Sequence, residues 1–383
     1  MADAGVDGDA AGLLDGVGIA LSGGGYRAMV FHVGSLIRLN EVGLLQKLNR
    51  VSSVSGGSIT AAALGMSWKE FKFVSGVAQN FDILVDRIRE MASTTVDAGA
   101  VIGGILLPGD ISDRVADAYD KVLFKGKSLS SLPDDVAGEG PRFVINATNV
   151  QTCALWRFSR NYMGDYRVGL FDRPDVKLAV AVAASSAFPP FLSPMTLPLS
   201  ETVSNTPGAD LARPPFTTNV VLSDGGVYDN LGMETISKEF KTLLVSDAGQ
   251  KVTPEDAPHH DWARHSLRIF DIVDNQVRSL RKRNLIDAFV RGDHTGTYWG
   301  IRTKFTDYGL KEDPLKCAQR DPTPLAEIAT RLEKMPVDVQ NRLMNWGYAV
   351  CDAALRAHLD ITLQAKLGVS IAPPTKFPFA GEY

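Results

Sequence analysis

Cysteine is nearly absent. Cys153, Cys317 and Cys351 are the three among 383 residues, widely spaced and without a CxxC pair. That excludes a disulfide framework and a cysteine-held zinc site, and it fits a reducing, cytoplasmic setting with at most peripheral contact with membranes. Charge excess is lacking too: 40 Lys and Arg stand against 44 Asp and Glu. No global field draws the chain to nucleic acid, so an anionic partner would need a local patch. Long apolar runs are missing. Ala98 to Leu107 and Leu178 to Leu192 are the longest, too short or too broken by Gly, Ser and Pro to cross about 30 Å of hydrocarbon. The opening MADAGVDGDAAGLLDG has acids where a signal peptide has bases and lacks an apolar core, so residues 1–15 are expected to form a flexible leader. Asp7 and Asp9 lack the later ligands of a calcium loop, and no metal or cofactor site is expected.

What is present is ample material for a core, with 45% of residues hydrophobic. There is no internal repeat and no long linker, so residues 16–383 are expected to be one α/β domain. Within it, residues 66–140 read as a mainly helical insertion, with Trp68 to Arg89 and Ile111 to Phe124 as amphipathic helices that could cap a site. Residues 250–383 read as a C-terminal helical extension, containing a long helix from Ile269 to Val290 and a strand near Gly296 to Thr303.

The richest stretch runs from Val17 to Gly65: VGIALSGGGYRAMVFHVGSLIRLNEVGLLQKLNRVSSVSGGSITAAALG. It reads as strand, glycine loop, helix, strand, sharp turn, helix. Gly23, Gly24 and Gly25 free the first turn of Cβ atoms, and the helix that follows aims its unpaired N–H groups back at the loop, a site for negative charge. In the second turn Ser55 sits between an apolar strand and Gly56-Gly57, the form of a nucleophile elbow that exposes a serine hydroxyl. The usual G-x-S-x-G has Ser53 in place of its first glycine. A right-handed βαβ crossover would set both turns side by side at the carboxyl edge of a parallel sheet.

Gly23-x-Gly25-x-x-Ala28 fits a dinucleotide fingerprint equally well, which would make the protein an oxidoreductase. That reading requires an acid at the end of the second strand, where Ser52, Ser53 and Ser55 stand. A serine triad would need a histidine. Among the six, His32 lies on the first helix, His259, His260 and His265 in a polar loop, and His294 and His358 lack a strand-end context. Asp224 has that context: it follows the short apolar strand Asn219 to Leu222 and precedes Gly225 and Gly226.

SGGGYRA, SVSGGS and SDGG, in this order, resemble the patatin-like phospholipase family, and the chain is similar to the catalytic domain of cytosolic phospholipases. INATN at Ile145 to Asn149 and ASSAFPPF at Ala184 to Phe191 add to the likeness, which spans Gly18 to Gly249. The resemblance implies a three-layer α/β/α fold with a mainly parallel central sheet. It implies a lipid acyl hydrolase in which Ser55 is the nucleophile, Asp224 its base and Gly23, Gly24 and Gly25 the oxyanion hole. Arg27 falls on the basic position of the glycine motif, and Ala28 stands where a glycine is usual. The substrate would be a phospholipid or another acyl-ester lipid. Val101 to Leu107 and Phe188 to Met195 could supply an apolar trough for its chain or be plain core, and Arg278, Arg281, Lys282 and Arg283 could meet its headgroup or form a solvated helix face. A lipid-binding protein without turnover is the non-enzymatic alternative.

Overall fold

The computed structural model describes residues 12–96, 111–190, 192–199, 203–204 and 206–381. Among them ten strands share one sheet: β1 (Leu14–Leu21), β2 (Leu48–Val54), β3 (Arg142–Asn149), β4 (Ala154–Phe158), β5 (Tyr162–Asp165), β6 (Gly169–Asp172), β7 (Met195–Pro198), β8 (Asn219–Asp224), β9 (Phe240–Asp247) and β10 (Thr295–Gly300). Their main order is β10-β9-β1-β2-β3-β4-β5-β6. The central pairings from β10 through β3 are parallel, and β3 to β6 form an antiparallel meander. The strand β1 begins at Leu14, inside the stretch expected to be leader.

Runs such as Leu243-Leu244-Val245 are buried on both faces, as a parallel sheet between two helical layers demands. Ile19, Leu21 and Leu244 belong to a large core on one side; Ala20, Leu243 and Val245 belong to a thinner one with Ile236 and Leu285 on the other. The first side holds α1 (Gly25–Glu41), α2 (Gly56–Trp68), α3 (Asp82–Ala92), α4 (Ile111–Tyr119) and α5 (Leu178–Ser185). The long α6 (Trp262–Arg291) touches the thinner core through Leu285 and Phe289. The 22-residue α7 (Val337–His358) lies in the large core against α1.

Two expectations change. The helix expected from Trp68 to Arg89 is interrupted by a hairpin, Phe73–Val74 with Val77–Ala78. Ser75 and Gly76 between these strands both take positive φ, the geometry of a two-residue hairpin turn. Trp68, Phe71, Phe73 and Phe81 cluster around it, so aromatic packing overrides the helical spacing. The segment after Gly249 is no mere appendage, because β10 extends the parallel sheet and α7 fills the core. Val101 to Leu107 lie outside the described residues.

Candidate functional site

The site is built on the register of β3. Its neighbour β2 ends at Val54, paired with Asn146. One position further along β3, Ala147 pairs with Asp224, the last residue of β8. Because β8 runs antiparallel to β3 while β2 runs parallel, the two strands meet head-on. Asp224 therefore arrives at the elbow from the opposite direction, not from a parallel strand end. In β8 the apolar Val220 and Leu222 are buried, and the strand is carried past the sheet edge by its pairing with β7.

The elbow itself is strained: Ser55 sits at φ 51°, ψ −120°, a conformation that costs a non-glycine residue energy and persists only when its surroundings hold it. Those surroundings are visible. The Ser55 N–H donates to Ser185 Oγ at 2.9 Å, and the Ser185 hydroxyl donates to the Asn146 carbonyl at 2.6 Å. The Ser58 hydroxyl joins Ser53 and Ser185, and Asn146 Nδ2 donates to the Ser53 carbonyl at 2.9 Å. Ser53 is thus a buried tie behind the turn. Gly56 and Gly57 lie against the glycine loop so closely that a Cβ on either would collide with the carbonyl of Gly25 or Leu21.

From Val17 to Leu36 every residue is buried except Gly24, and from Arg50 to Gly65 every residue except Ser55. The two turns are the openings of otherwise sealed elements. Gly24 and Gly25 take φ of 140° and 59°, which L side chains resist. Gly24 is the N-cap of α1 and has no side chain to satisfy the helix's first donors. Among the described residues no acceptor pairs with the Gly24 or Gly25 N–H. Gly23 differs from expectation, because its N–H is committed to the Asn230 carbonyl at 3.1 Å. A Cβ on Gly23 would strike the Asn230 side chain and come 3.3 Å from Ser55 Cβ. This places the loop and the serine in contact.

Asp224 is 2% exposed. Burial pushes its carboxyl up to about 7, against hydrogen bonding from the Gly226 N–H and the Ser55 side chain, which favours the charged form. Asp274 on α6 adds to the rise. The Gly226 N–H donates to Oδ1 at 2.6 Å, and the Gly225 N–H is tied to the Ser185 carbonyl at 3.2 Å. A Cβ on Gly225 would collide with the Asn146 carbonyl.

Arg27 points away from the opening. It is fully buried, donating to the carbonyls of Ala248 and Ile328. Burial and the nearby Arg278 and Arg302 lower its pKa to about 10, so it keeps its charge at neutral pH. It braces the loop from behind, with Arg331, whose carbonyl accepts the Tyr26 N–H. A cavity of about 310 Å³ lined by Ile328, Arg331 and Met335 adjoins this brace, but neither Ser55 nor Asp224 lines it.

The histidines stand elsewhere. His32 is buried between the Ser246 hydroxyl and the Ser22 carbonyl, and burial lowers its pKa to about 4. His294 meets the Phe240 carbonyl; His259, His260 and His265 are exposed. The expected headgroup cations mostly face inward. Arg278 reaches Asp247 and the Gln250 carbonyl, Arg281 reaches Glu234 and Asp229, and Lys282 lies over the Tyr298 ring. Of the four, Arg283 alone is exposed.

Ser185, Asn146 and Asn230 are the supports that sequence reasoning did not single out. The first two lie within ASSAFPPF and INATN, where the motif was seen without its role. Asn230 has no local signal, being brought to Gly23 by the turn after β8. Tyr119 at the end of α4 is also buried beside Ser186; burial chiefly, and the charge of nearby Asp224, raise its pKa, so it stays neutral.

Compared with known proteins, the chain matches the family model described as "Patatin-like phospholipase" over residues 19–236. The structure of human GIVD cytosolic phospholipase A2 in complex with methyl gamma-linolenyl fluorophosphonate inhibitor and terbium chloride is similar at TM-score 0.51 and 16% identity, over 92% of this chain and 60% of that one. The same human protein with methyl gamma-linolenyl fluorophosphonate gives TM-score 0.50 at 16% identity, with the same coverage. The likeness is one of fold, and the chain spans 60% of the length of these structures. No curated protein matches.

Proposed function

Because the chain belongs to the patatin-like phospholipase family, we propose that it hydrolyses carboxylic esters of phospholipids or lysophospholipids, with Ser55 as nucleophile and Asp224 as its base. The observation that carries this reading is the head-on meeting of β2 and β8: Val54, the residue before Ser55, and Asp224 pair with successive positions along β3, which supports a dyad at the junction. Asp224 takes the Ser55 proton, the oxygen attacks the ester carbonyl, and the oxyanion is held by the N–H groups of Gly24 and Gly25. The proton then passes from Asp224 to the departing alcohol. Water, activated by the same carboxylate, releases the acid from the acyl-serine.

An ordinary carboxylate, at a pKa near 4, is a weak base for a hydroxyl. Burial that lifts Asp224 to about 7 brings it into the range where a general base works well at neutral pH. Gly56, Gly57, Gly225 and Gly226 serve by shape, letting three backbone segments approach without side chains between them, and Ser53 ties the turn from behind through Ser58 and Asn146. No metal or cofactor enters this scheme.

The human relative carries a lipid-like fluorophosphonate inhibitor, and the same class of reagent tests this chain. It should label Ser55, identified by peptide mapping, and Ser55→Ala should abolish both labelling and ester hydrolysis, by about 10³-fold or more. Labelling of another serine, or full activity in Ser55→Ala, would overturn the assignment.

A further inference from the structure

The long helix α6 is inside out. A helix packed on a globular body turns its apolar stripe inward and its charges to water. In α6 the inward side carries Arg278, Arg281 and Lys282, held by the body's Asp247, Asp229, Glu234 and the Tyr298 ring. Leu285 is its sole buried residue. On the opposite side stand Trp262 and, seven residues on, Ile269, followed at spacings of three and four by Val273, Val277 and Leu280, with Ile272 on the flank. All are exposed, Trp262 by 83% and Val273 by 55%. The helix cannot roll to hide them without stranding the buried carboxylates of Asp229 and Asp247.

The stripe lies at the same end of the sheet as the candidate site. Arg278 packs against Gly249, just beyond the carboxyl end of β9. Phe270 meets Phe188 at 6.1 Å between ring centres. Phe188 is itself 47% exposed and follows Ala187, whose carbonyl accepts the Asp224 N–H. Val227, beside Gly226, is exposed as well. Apolar surface thus runs from the mouth of the site onto the helix.

We infer that α6 is an interfacial docking helix, its stripe from Trp262 to Leu280 seated in the surface of a phospholipid layer so that the ester-cleaving site opens onto lipid. The choice of a lipid surface over a protein partner rests on the hydrolase reading and on two features of the stripe. It is a convex single-helix face about 27 Å long at 1.5 Å per residue, which suits a plane. Its charges also complement a headgroup layer. At 100° per residue Asp271 and Asp274 project from the far side, while His265 and Arg283 flank the stripe; Asp287, seven residues past Leu280, ends it.

Trp262 provides its own probe, because Trp68, Trp156, Trp299 and Trp346 are buried. The full chain with Ser55→Ala, which cannot consume its target, is mixed with phosphatidylcholine vesicles, with and without phosphatidylserine and with brominated chains. Trp262 emission should shift to the blue and be quenched by bromine, and Trp262→Phe should lose that quenching. The triple variant Ile269→Ser, Val273→Ser, Leu280→Ser, with Ser55 intact, should sediment with vesicles at least tenfold more weakly. It should lose activity on vesicles yet keep it on a soluble short-chain ester. Absence of quenching, or undiminished binding by the triple variant, overturns the proposal; so does sedimentation of the lipid-free wild type as a dimer that the triple variant dissolves. Vesicle binding by a wild-type chain that hydrolyses neither substrate would instead leave the docking surface standing and remove the hydrolase reading.

Discussion

At the scale of the residue, Asp224, the base of the proposed mechanism, concentrates the chemistry and the cost. Its carboxyl must be charged to accept a proton, so with a folded pKa of about 7 activity should rise through neutrality along one limb. A pH–rate profile on a soluble ester checks this, and the limb should persist when His259, His260 or His294 is replaced. The same shift has a stability consequence of opposite sign. Because the folded pKa lies above the ordinary 3.8, the folded state holds a proton between about pH 4 and 7 that the unfolded chain has lost. Stability from this group therefore falls as pH rises through that window, and the penalty is complete above 7. Asp224→Asn should raise the melting temperature at pH 8, leave it little changed near pH 4, and abolish hydrolysis. Gly56 makes a sharper test of shape. Gly56→Ala inserts a methyl group into the Gly25 carbonyl, and forcing the two turns apart should cost activity by about 10²-fold or more, comparable to losing one oxyanion donor.

At the scale of the element, the glycine loop is held in place by its helix, and the helix by another 300 residues away. The backbones of α1 and α7 nearly touch. A Cβ on Gly34 would collide with the Met344 carbonyl, and one on Gly347 with the Phe31 carbonyl. Ser35 Oγ donates to the Gly347 carbonyl at 3.1 Å, and Trp299 Nε1 donates to the same Ser35 hydroxyl at 2.9 Å. Arg38 adds a buried pairing with Asp352. Gly34→Ala should therefore destabilise the fold by about 1–3 kcal/mol, the typical cost of overpacking, measured by chemical denaturation. His32, on the same helix, is a structural residue. Its ring links Ser246 of β9 to the Ser22 carbonyl after β1, and burial keeps it neutral. His32→Leu should lower stability by about 1–3 kcal/mol through the polar groups left unpaired, without moving the pH limb of activity.

At the scale of the whole molecule, the family match ends at residue 236 while the fold does not. The strand β9 follows the match, β10 extends the sheet beside it, and α7 packs on the helix that bears the glycine loop. The buried guanidinium of Arg27 spans this division, bonding Ala248 and Ile328 from within the matched region. A chain stopped after Gly249 would expose the edge of β9 and one face of α1, both apolar. Such a truncation should be insoluble or lack a cooperative melting transition, as circular dichroism would show. The described residues contain no helix long and apolar enough to cross a membrane, so α6 is left as the element that turns apolar surface outward in quantity.

Local chemistry and periodicity determined much of this in advance. Glycines that permit positive φ, a serine between an apolar strand and a helix, and an aspartate closing a buried strand are all statements about neighbouring residues. So the turns that carry Ser55, Asp224 and the loop of Gly23 to Gly25 were legible as local geometry, and with them the candidates for the site. Tertiary structure alone decided what depends on partners distant in sequence. It turned β8 antiparallel so that Asp224 meets the elbow head-on, and it gave the Gly23 N–H to Asn230. It also aimed Arg278, Arg281 and Lys282 at buried carboxylates and left the apolar side of α6 to solvent. A sequence displays which faces a helix has; which one turns inward depends on the charges waiting on the surface it meets.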